Sequence, residues 1–354
     1  MRYTTFSRRS GLRVSQYALG TSNFGTKWGT GADENQSREI FDRFAEAGGT
    51  FIDTADTYQQ GDSETYLGDF LAKDREHFTV ASKYTFGTAG QTGINKTGNS
   101  RKTMRHAVDQ TLKRLQTDYI DLYWAHSPDF STPVNEIAEA FDDLVRAGKI
   151  LAGGLSNFPA WAASAAVEHS AAHGRSPIIG VQLEYSLAAR DGERDLLPMA
   201  ETFGLGVALY SPLGGGLLTG KYRTSSEGRL STMNSIIQRE DNAQKTAVVD
   251  ELLRISEEVG TAPAELAIAW MLQRGETLGT SVVPIIGPRS LSQLDSYLRA
   301  LDVRLSPEHF QRLADVSAPT LGIPHDSGVE TANQVLGGQL NQFDRPDGRP
   351  VVSR

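Results

Sequence analysis

YIDLYWA, residues 119–125, is an almost wholly apolar run with the length of one strand. It is followed, between Pro133 and Gly148, by a segment that repeats apolar residues at helical spacing: Ile137, Ala140, Phe141, Leu144 and Val145. A strand that is apolar on both faces is typical of a parallel sheet covered by helices, because neither face meets water. This stretch therefore predicts one strand–helix unit of an α/β protein.

The same unit recurs along the chain. Seven further strand-like runs are YALGT (17–21), TFIDT (50–54), FTVAS (78–82), ILAGGLS (150–156), IIGVQLE (178–184), LGVALYS (205–211) and TSVVPII (280–286). Helices are predicted near 35–47, 64–72, 104–115, 159–173, 193–203, 246–273 with a break near Pro263, 291–300 and 306–317. Eight units over about 300 residues predict a closed (β/α)₈ barrel. A doubly wound open sheet is the alternative, but the chain has no G-x-G-x-x-G motif.

Several segments lie outside this repeat. Residues 2–15 predict a hairpin that turns at Ser10 and Gly11 and plugs the bottom of the barrel. Two long connections, 84–100 and 221–245, are expected to be active-site loops, and 306–317 is an extra C-terminal helix. We expect one barrel domain over 1–320 and a C-terminal tail over 321–354, which has little periodicity and either wraps the surface or remains disordered.

Composition excludes several classes of function. A net charge of −8 argues against binding to nucleic acid or an anionic membrane, so the expected partner is a small molecule. The chain has no cysteine, which excludes disulfides, thiolate metal sites and a cysteine nucleophile. It shows no secretory h-region and no run of 18 apolar residues, so a cytoplasmic location is expected. His169 and His173 have metal-ligand spacing but no third ligand in register, and no metal is expected.

Four polar residues fall at predicted strand ends, where a barrel gathers its chemistry: Asp53, Tyr58, Lys83 and His126. A lysine ammonium would lower the pKa of a nearby tyrosine, a carboxylate would orient the lysine, and a histidine could hydrogen-bond a carbonyl oxygen. The set suits proton delivery to a carbonyl during hydride transfer, and hydride requires a nicotinamide cofactor. Taken singly, each has a structural alternative: a helix N-cap, a loop aromatic, a solvated charge and a buried imidazole.

Over about residues 1–320 the chain carries several independent motifs: GLRVSQYALGTSNFG, FIDTADTY, ASKY, DLYWAHSPD, AGGLSNF, VQLEYS, YSPLGGGLLTGKY and PIIGPRSLSQLDSYL. In these motifs and their order the chain resembles the aldo-keto reductase family. It implies a (β/α)₈ barrel that binds NADP(H) without a Rossmann domain. It also implies that Tyr58 is the proton donor, Lys83 lowers its pKa, Asp53 pairs with Lys83, and His126 orients the substrate.

The resemblance also implies a cofactor site. Ser156, Asn157 and Gln182 would hold the nicotinamide carboxamide and Tyr210 would stack on its ring. Arg289 would bind the adenosine 2′-phosphate, and this contact would favour NADPH over NADH. The remaining expected cofactor contacts are Gly20, Thr21, Ser211, Leu213, Gly216, Leu217, Lys221, Gly287 and Gln293. The chain departs from the family pattern at Gly287, Pro288 and Arg289, and at Ser296 and Tyr297 near the adenine.

The spacing of Gly215, Gly220 and Lys221 imitates a triphosphate-binding loop, but Tyr222 replaces the Ser or Thr that would bind Mg²⁺. This match is therefore coincidental, and the glycines are expected to face the phosphates of a dinucleotide.

Aromatic residues on or beside strand-end loops predict a substrate pocket suited to aldehydes and ketones with hydrophobic or ring surface. The expected lining residues are Phe24, Trp28, Tyr84, Phe86 and Phe158, although some aromatics, Trp124 especially, could instead be barrel core. The leading function is NADPH-dependent carbonyl reduction. The alternatives are a reductase-like regulatory subunit that binds NADPH with little turnover, and a Schiff-base aldolase that uses Lys83.

Overall fold

A computed structural model describes residues 1–88, 90, 92–223 and 238–344. It contains a closed barrel of eight parallel strands, as predicted, and a separate two-stranded hairpin. The hairpin strands are β1 (Tyr3–Ser7) and β2 (Ser10–Ser15). The barrel strands are β3 (Ala18–Gly20), β4 (Phe51–Asp53), β5 (Thr79–Tyr84), β6 (Ile120–Ala125), β7 (Ile150–Ser156), β8 (Ile178–Glu184), β9 (Gly206–Tyr210) and β10 (Val282–Ile286). Their order around the barrel follows the chain, and β10 closes it against β3.

Helices cover the outside of the barrel. They are α1 (Glu34–Glu46), α2 (Asp62–Leu71), α3 (Arg101–Leu115), α4 (Val134–Arg146), α5 (Ala160–Ala172), α6 (Leu196–Phe203), α7 (Ala243–Val259), α8 (Pro263–Glu276), α9 (Leu291–Arg299) and α10 (Pro307–Val316). Pro263 opens α8, because a proline suits the first turn of a helix, and this explains the predicted break. In the described part of the chain, no helix is both long and apolar enough to cross a membrane.

The chain divides into two compact units, Met1–Ser317 and Ala318–Arg354. The second unit contains a helix that the sequence did not predict, α11 (His325–Val335), and a short 3₁₀ turn over Leu340–Gln342. No residue of α11 is buried, so nothing required an apolar stripe that periodicity could detect. Residues 224–237 of the predicted loop 221–245, positions 89 and 91 of the loop 84–100, and 345–354 of the tail lie outside the described residues.

The hairpin closes the amino-terminal end of the barrel through Phe6. This side chain is fully buried and meets Phe51 and Trp124 edge-on inside the barrel, at centroid distances of 5.7 and 6.1 Å. A Cβ atom at Gly206 would lie 2.0 Å from the Phe6 carbonyl oxygen, so only glycine allows the hairpin this close. The predicted turn is wrong by two residues: Ser10 pairs with Ser7 inside the hairpin, so the chain reverses between them.

We expect Phe6→Ala to lower the free energy of unfolding by about 3–5 kcal/mol, because it leaves a cavity in the packed barrel interior. The matched control is Thr5→Ala, which changes the adjacent exposed residue on the same strand and should cost less than about 1 kcal/mol. Urea unfolding of both variants measures the difference. Equal losses would contradict a plugging role for Phe6.

Candidate active site

A buried ion pair lies at the carboxyl ends of β4 and β5. The Lys83 Nζ atom is 2.5 Å from Asp53 Oδ2, and both side chains are almost completely inaccessible to solvent. The same nitrogen donates to the Thr54 carbonyl oxygen at 2.8 Å and to the Tyr58 hydroxyl at 3.1 Å. Lys83 therefore uses all three ammonium hydrogens inside the protein, which fixes the direction in which it faces Tyr58.

His126 completes this cluster. It follows β6, where its backbone N–H donates to the Tyr84 carbonyl oxygen at 3.2 Å and to Thr85 Oγ1 at 3.1 Å. The imidazole meets the Tyr58 ring nearly edge-on, with centroids 5.9 Å apart. The structure thus brings together the four residues expected at the strand ends, on one face of the barrel.

Burial governs the protonation of the Tyr58 hydroxyl. Desolvation raises the pKa of Tyr58, the Lys83 ammonium lowers it, and the net shift is upward. Lys83 therefore acts in the direction predicted from sequence, but burial outweighs it. Burial also lowers the pKa of Lys83, but the negative charge of Asp53 and the contact with Tyr58 outweigh that effect and raise it. At neutral pH the pair is a neutral phenol beside a charged ammonium.

His126 is a neutral imidazole at neutral pH. Burial, assisted by the positive charge of Lys83, lowers the pKa of His126 well below its ordinary value. Its Nδ1 atom is buried and has no hydrogen-bond partner among the described residues. We assign the ring proton to Nε2, because an N–H at Nδ1 would have no acceptor. His126 can then donate one hydrogen bond from Nε2 into the cavity that it lines.

The cluster opens into a cavity of about 800 Å³ on the carboxyl face of the barrel. Most of the expected cofactor contacts line it: Gly20, Ser156, Asn157, Gln182, Tyr210, Ser211, Leu213, Gly216, Lys221, Gly287, Arg289 and Gln293. Thr21 and Leu217 are not among the lining residues, since both side chains are buried behind the wall. Thr21 instead bonds to the Asp53 carbonyl oxygen and to Ser63.

Polar side chains in the cavity floor are already linked to one another. Gln182 Nε2 donates to Asp53 Oδ1 at 2.9 Å. Asn157 Nδ2 donates to the His126 carbonyl oxygen at 2.9 Å, and Asn157 Oδ1 accepts from the Tyr210 hydroxyl at 2.8 Å. The Tyr210 ring therefore spans from the end of β9 toward the end of β7. This network connects the floor of the cavity to Asp53 and His126 of the cluster.

Two features suit the cavity to phosphate groups. A 3₁₀ segment, Gly214–Thr219, follows β9 and contains Gly215 and Gly216 in left-handed conformations that glycine adopts without strain. The N-terminus of α9 faces the same cavity, where Ser290 caps the helix and Gln293 Oε1 accepts from the Arg289 N–H at 2.8 Å. A helix N-terminus with an arginine beside it attracts anions.

The expected substrate aromatics divide into two groups. Trp28 and Phe86 line the cavity, and Phe86 is half exposed. Phe24, Tyr84 and Phe158 are instead buried in the hydrophobic core outside it.

Alternation along β5 explains the burial of Tyr84. Lys83 points into the barrel, so the next side chain points outward, where it stacks on Tyr123 at a centroid distance of 5.3 Å. Phe24 packs against Phe70 in the layer between barrel and helices. Trp124 is barrel core, which was the alternative stated for it.

Other lining residues escaped the sequence interpretation, notably Asn23 and Gln59. Asn23 Nδ2 donates to the Gly287 carbonyl oxygen at 2.8 Å and connects the loop after β3 to the loop after β10. The unusual length of the loop after β3 was the available signal for Asn23. Gln59 has no comparable signal, because its backbone conformation and its partners become visible only in the folded chain.

The histidine pair on α5 is packed ring against ring. The His169 and His173 rings lie 4.3 Å apart, and His169 Nε2 is 3.2 Å from Glu139 Oε1. Within the described ranges, no group of three or more potential ligands is arranged to hold a metal ion.

Comparison with known proteins gives a consistent result. Residues 17–318 match the Aldo/keto reductase family. The chain is 32% identical over 339 residues to "Putative aryl-alcohol dehydrogenase AAD14" of Saccharomyces cerevisiae, which covers 91% of this chain and 88% of that protein. It is 34% identical over 332 residues to "Norsolorinic acid reductase stcV" of Emericella nidulans, with 91% and 83% covered. "Aldo-keto reductase ausK" of Aspergillus calidoustus is 32% identical over 349 residues, with 94% and 86% covered.

A second buried acid, Asp56, lies near the cluster of Asp53, Tyr58, Lys83 and His126. Asp56 is 3% exposed, and its Oδ1 atom has no hydrogen-bond partner among the described residues. Burial, reinforced by the negative charge of Glu64, raises the pKa of Asp56 to about 8, although Arg114 and Lys83 oppose the shift. Glu64 itself is paired with Arg114 Nε at 2.6 Å. Asp56 is therefore predominantly protonated at neutral pH.

This protonation makes stability depend on pH. Between the ordinary value of 3.8 and about 8, the folded chain keeps the Asp56 proton that the unfolded chain releases, so its contribution to stability falls as pH rises. Asp56→Asn removes this dependence. Relative to the wild type, the free energy of unfolding of the variant should increase by about 2–3 kcal/mol between pH 5.5 and 7.5 in urea titrations. The exposed control Asp118→Asn should show no such trend, and a pH-independent difference for Asp56→Asn would refute the assignment.

Proposed function

The chain belongs to the aldo/keto reductase family, and from that premise we propose that it is an NADP(H)-dependent oxidoreductase that reduces aldehydes and ketones to alcohols. The observation that carries the proposal is the hydroxyl of Tyr58 held 3.1 Å from a buried lysine ammonium, with His126 beside it at the floor of a large cavity. A proton donor and a hydrogen-bond donor then converge on one place where a carbonyl oxygen can lie.

The residues present fit a nicotinamide dinucleotide, which when bound would supply the hydride. Gln182 keeps its Oε1 atom available for a carboxamide, because only its Nε2 is used by Asp53. Tyr210 offers an aromatic face across the floor of the cavity. The left-handed glycines after β9 allow close approach of phosphate oxygens to backbone, and Arg289 at the start of α9 supplies a cationic fork.

The proton step follows from the cluster itself. The Tyr58 hydroxyl gives its proton to the substrate carbonyl oxygen, and the Lys83 ammonium stabilises the phenolate that remains. Asp53 holds Lys83 in its charged form and in its orientation. His126 donates a hydrogen bond from Nε2 to the same carbonyl oxygen, which stabilises the negative charge that develops there. In the reverse direction, the Tyr58 phenolate accepts the proton of an alcohol.

The two alternatives are less well supported. Schiff-base chemistry requires an unprotonated lysine, but the pKa of Lys83 is raised and its three hydrogens are all bound. A regulatory subunit with little turnover would not need four residues held in proton-transfer geometry. Two of the relatives are named for aryl alcohols, and the aromatic side chains at the cavity mouth favour aromatic carbonyl compounds for this chain as well.

Tyr58→Phe tests the proton donor. We expect kcat for an aryl aldehyde with NADPH to fall at least about 100-fold, because the carbonyl loses its proton source. NADPH binding, measured by fluorescence quenching, should change little. Tyr66→Phe, which alters a tyrosine outside the cavity lining, is the control and should leave both measurements unchanged. Retained turnover in Tyr58→Phe would exclude the proposed mechanism.

Arg289→Ala tests the preference between cofactors. The loss of a charge-assisted contact to the 2′-phosphate should weaken NADPH about 10- to 100-fold, while NADH should weaken much less. Dissociation constants from fluorescence titration give the two ratios. Arg13→Ala, which removes a positive charge from the exposed face of the hairpin, is the matched control. An equal loss for both dinucleotides would remove the role given to Arg289.

A further inference from the structure

Gln59 directly follows the catalytic tyrosine and bonds to the loop after β3. Its Nε2 group donates to the carbonyl oxygens of Ser22 at 3.0 Å and Thr30 at 3.2 Å, and its Oε1 accepts from the Trp28 N–H at 2.9 Å. Gln59 is only 1% exposed. One side chain thus joins both ends and the middle of the loop that carries Trp28.

Gln59 has a backbone conformation that favours glycine, yet the chain keeps a glutamine side chain there. Gln59 has a φ of 49°, in the left-handed region where glycine is favoured and other residues are strained. A glycine would satisfy the backbone without strain but could not make the three loop contacts. The loop is also shaped around Gln59, because a Cβ atom at Gly25 would lie 2.6 Å from the Gln59 Cβ. Side chain and loop therefore require each other.

The loop places Trp28 against Tyr58, which in turn contacts His126. The Trp28 ring meets Tyr58 edge-on at 6.1 Å, Tyr58 meets His126 at 5.9 Å, and Phe86 meets His126 at 4.8 Å. These four rings come from the loops that follow β3, β4, β5 and β6 and form a continuous aromatic row. In the described part of the cavity lining, the cations Lys221 and Arg289 come from the opposite arc of loops, after β9 and β10.

We propose that Gln59 is the positioning residue that sets the substrate class of this site: by holding Trp28 beside Tyr58, it makes the aromatic row selective for flat aryl aldehydes and ketones over aliphatic ones. This inference rests on the proposed carbonyl reductase function. An aryl ring gains edge and face contacts with Trp28 that an alkyl chain cannot make. Gln59 acts through Trp28 and takes no part in proton transfer.

The test compares kcat/KM for benzaldehyde and hexanal in Gln59→Gly, Trp28→Ala and the double variant. Gln59→Gly should lower kcat/KM for benzaldehyde about tenfold, mainly through KM, and change that for hexanal less than about twofold. The double variant should be no worse than Trp28→Ala alone, because Gln59 acts only through the Trp28 contact. Gln59→Gly should fold, because glycine accepts the left-handed backbone without strain.

Gln60→Gly is the matched control. Gln60 is adjacent, has a φ of 58°, and its side chain is exposed. This variant makes the same backbone change without loss of the loop contacts, so it should retain the benzaldehyde-to-hexanal ratio of the wild type. Equal losses for both aldehydes in Gln59→Gly, or additive losses in the double variant, would overturn the proposal.

A binding measurement separates this proposal from the proposed function. Calorimetry with benzamide and cyclohexanecarboxamide reports ring selectivity without turnover. Weaker binding of benzamide alone in Gln59→Gly supports the role of Gln59 even if no aldehyde is reduced. Unchanged binding of both ligands, or no preference for benzamide in the wild type, overturns the role of Gln59 while leaving carbonyl reduction intact.

Discussion

The buried ion pair between Lys83 and Asp53 is the constraint on which the site depends. Removing two charges from water is unfavourable unless they are close and otherwise satisfied. The barrel provides this through register: Asp53 pairs with Ala81 across β4 and β5, and Lys83 lies two residues beyond Ala81 on the same inward face. Thr54 and Gln182 complete the hydrogen bonding of the pair. A shift of one residue in either strand would turn one partner outward and leave the other uncompensated.

The two ends of the barrel have opposite requirements. At the amino-terminal end, Phe6 and Trp124 fill the interior and pack edge-on against each other. At the carboxyl end, residues in the loops that follow the strands adopt positive φ angles that most side chains disfavour: Gln59, Thr85, Phe130, Asn157 and Ser211. Strain of this kind persists only where the surrounding structure holds it in place. The closed and packed lower half provides a rigid base from which these loops direct side chains into the cavity.

Sequence predicted the layers and the grouping of four polar residues because both follow local rules. Strand-length apolar runs, helical periodicity and motif spacing identified the eight strands and brought Asp53, Tyr58, Lys83 and His126 to one face. The sequence did not predict which loop aromatics face the cavity, because tertiary packing buries Phe24 and Phe158. Tyr84 could have been placed correctly, because alternation along β5 points its side chain to the opposite face from that of Lys83. Gln59 could not, since its role depends on a left-handed backbone and on a loop more than 25 residues away in sequence.

Burial also resolves a conflict in the proposed chemistry. A proton donor must keep its proton until the substrate arrives, yet release it readily during transfer. Desolvation raises the pKa of Tyr58 and keeps the phenol protonated, whereas the Lys83 ammonium favours the phenolate that exists only once the proton has moved. This balance tolerates little extra negative charge. Glu64 is matched by Arg114 and Asp53 by Lys83, whereas an ionised Asp56 adds a negative charge that raises the pKa of Tyr58. In the proposed mechanism, keeping Asp56 protonated at neutral pH would therefore favour proton transfer from Tyr58.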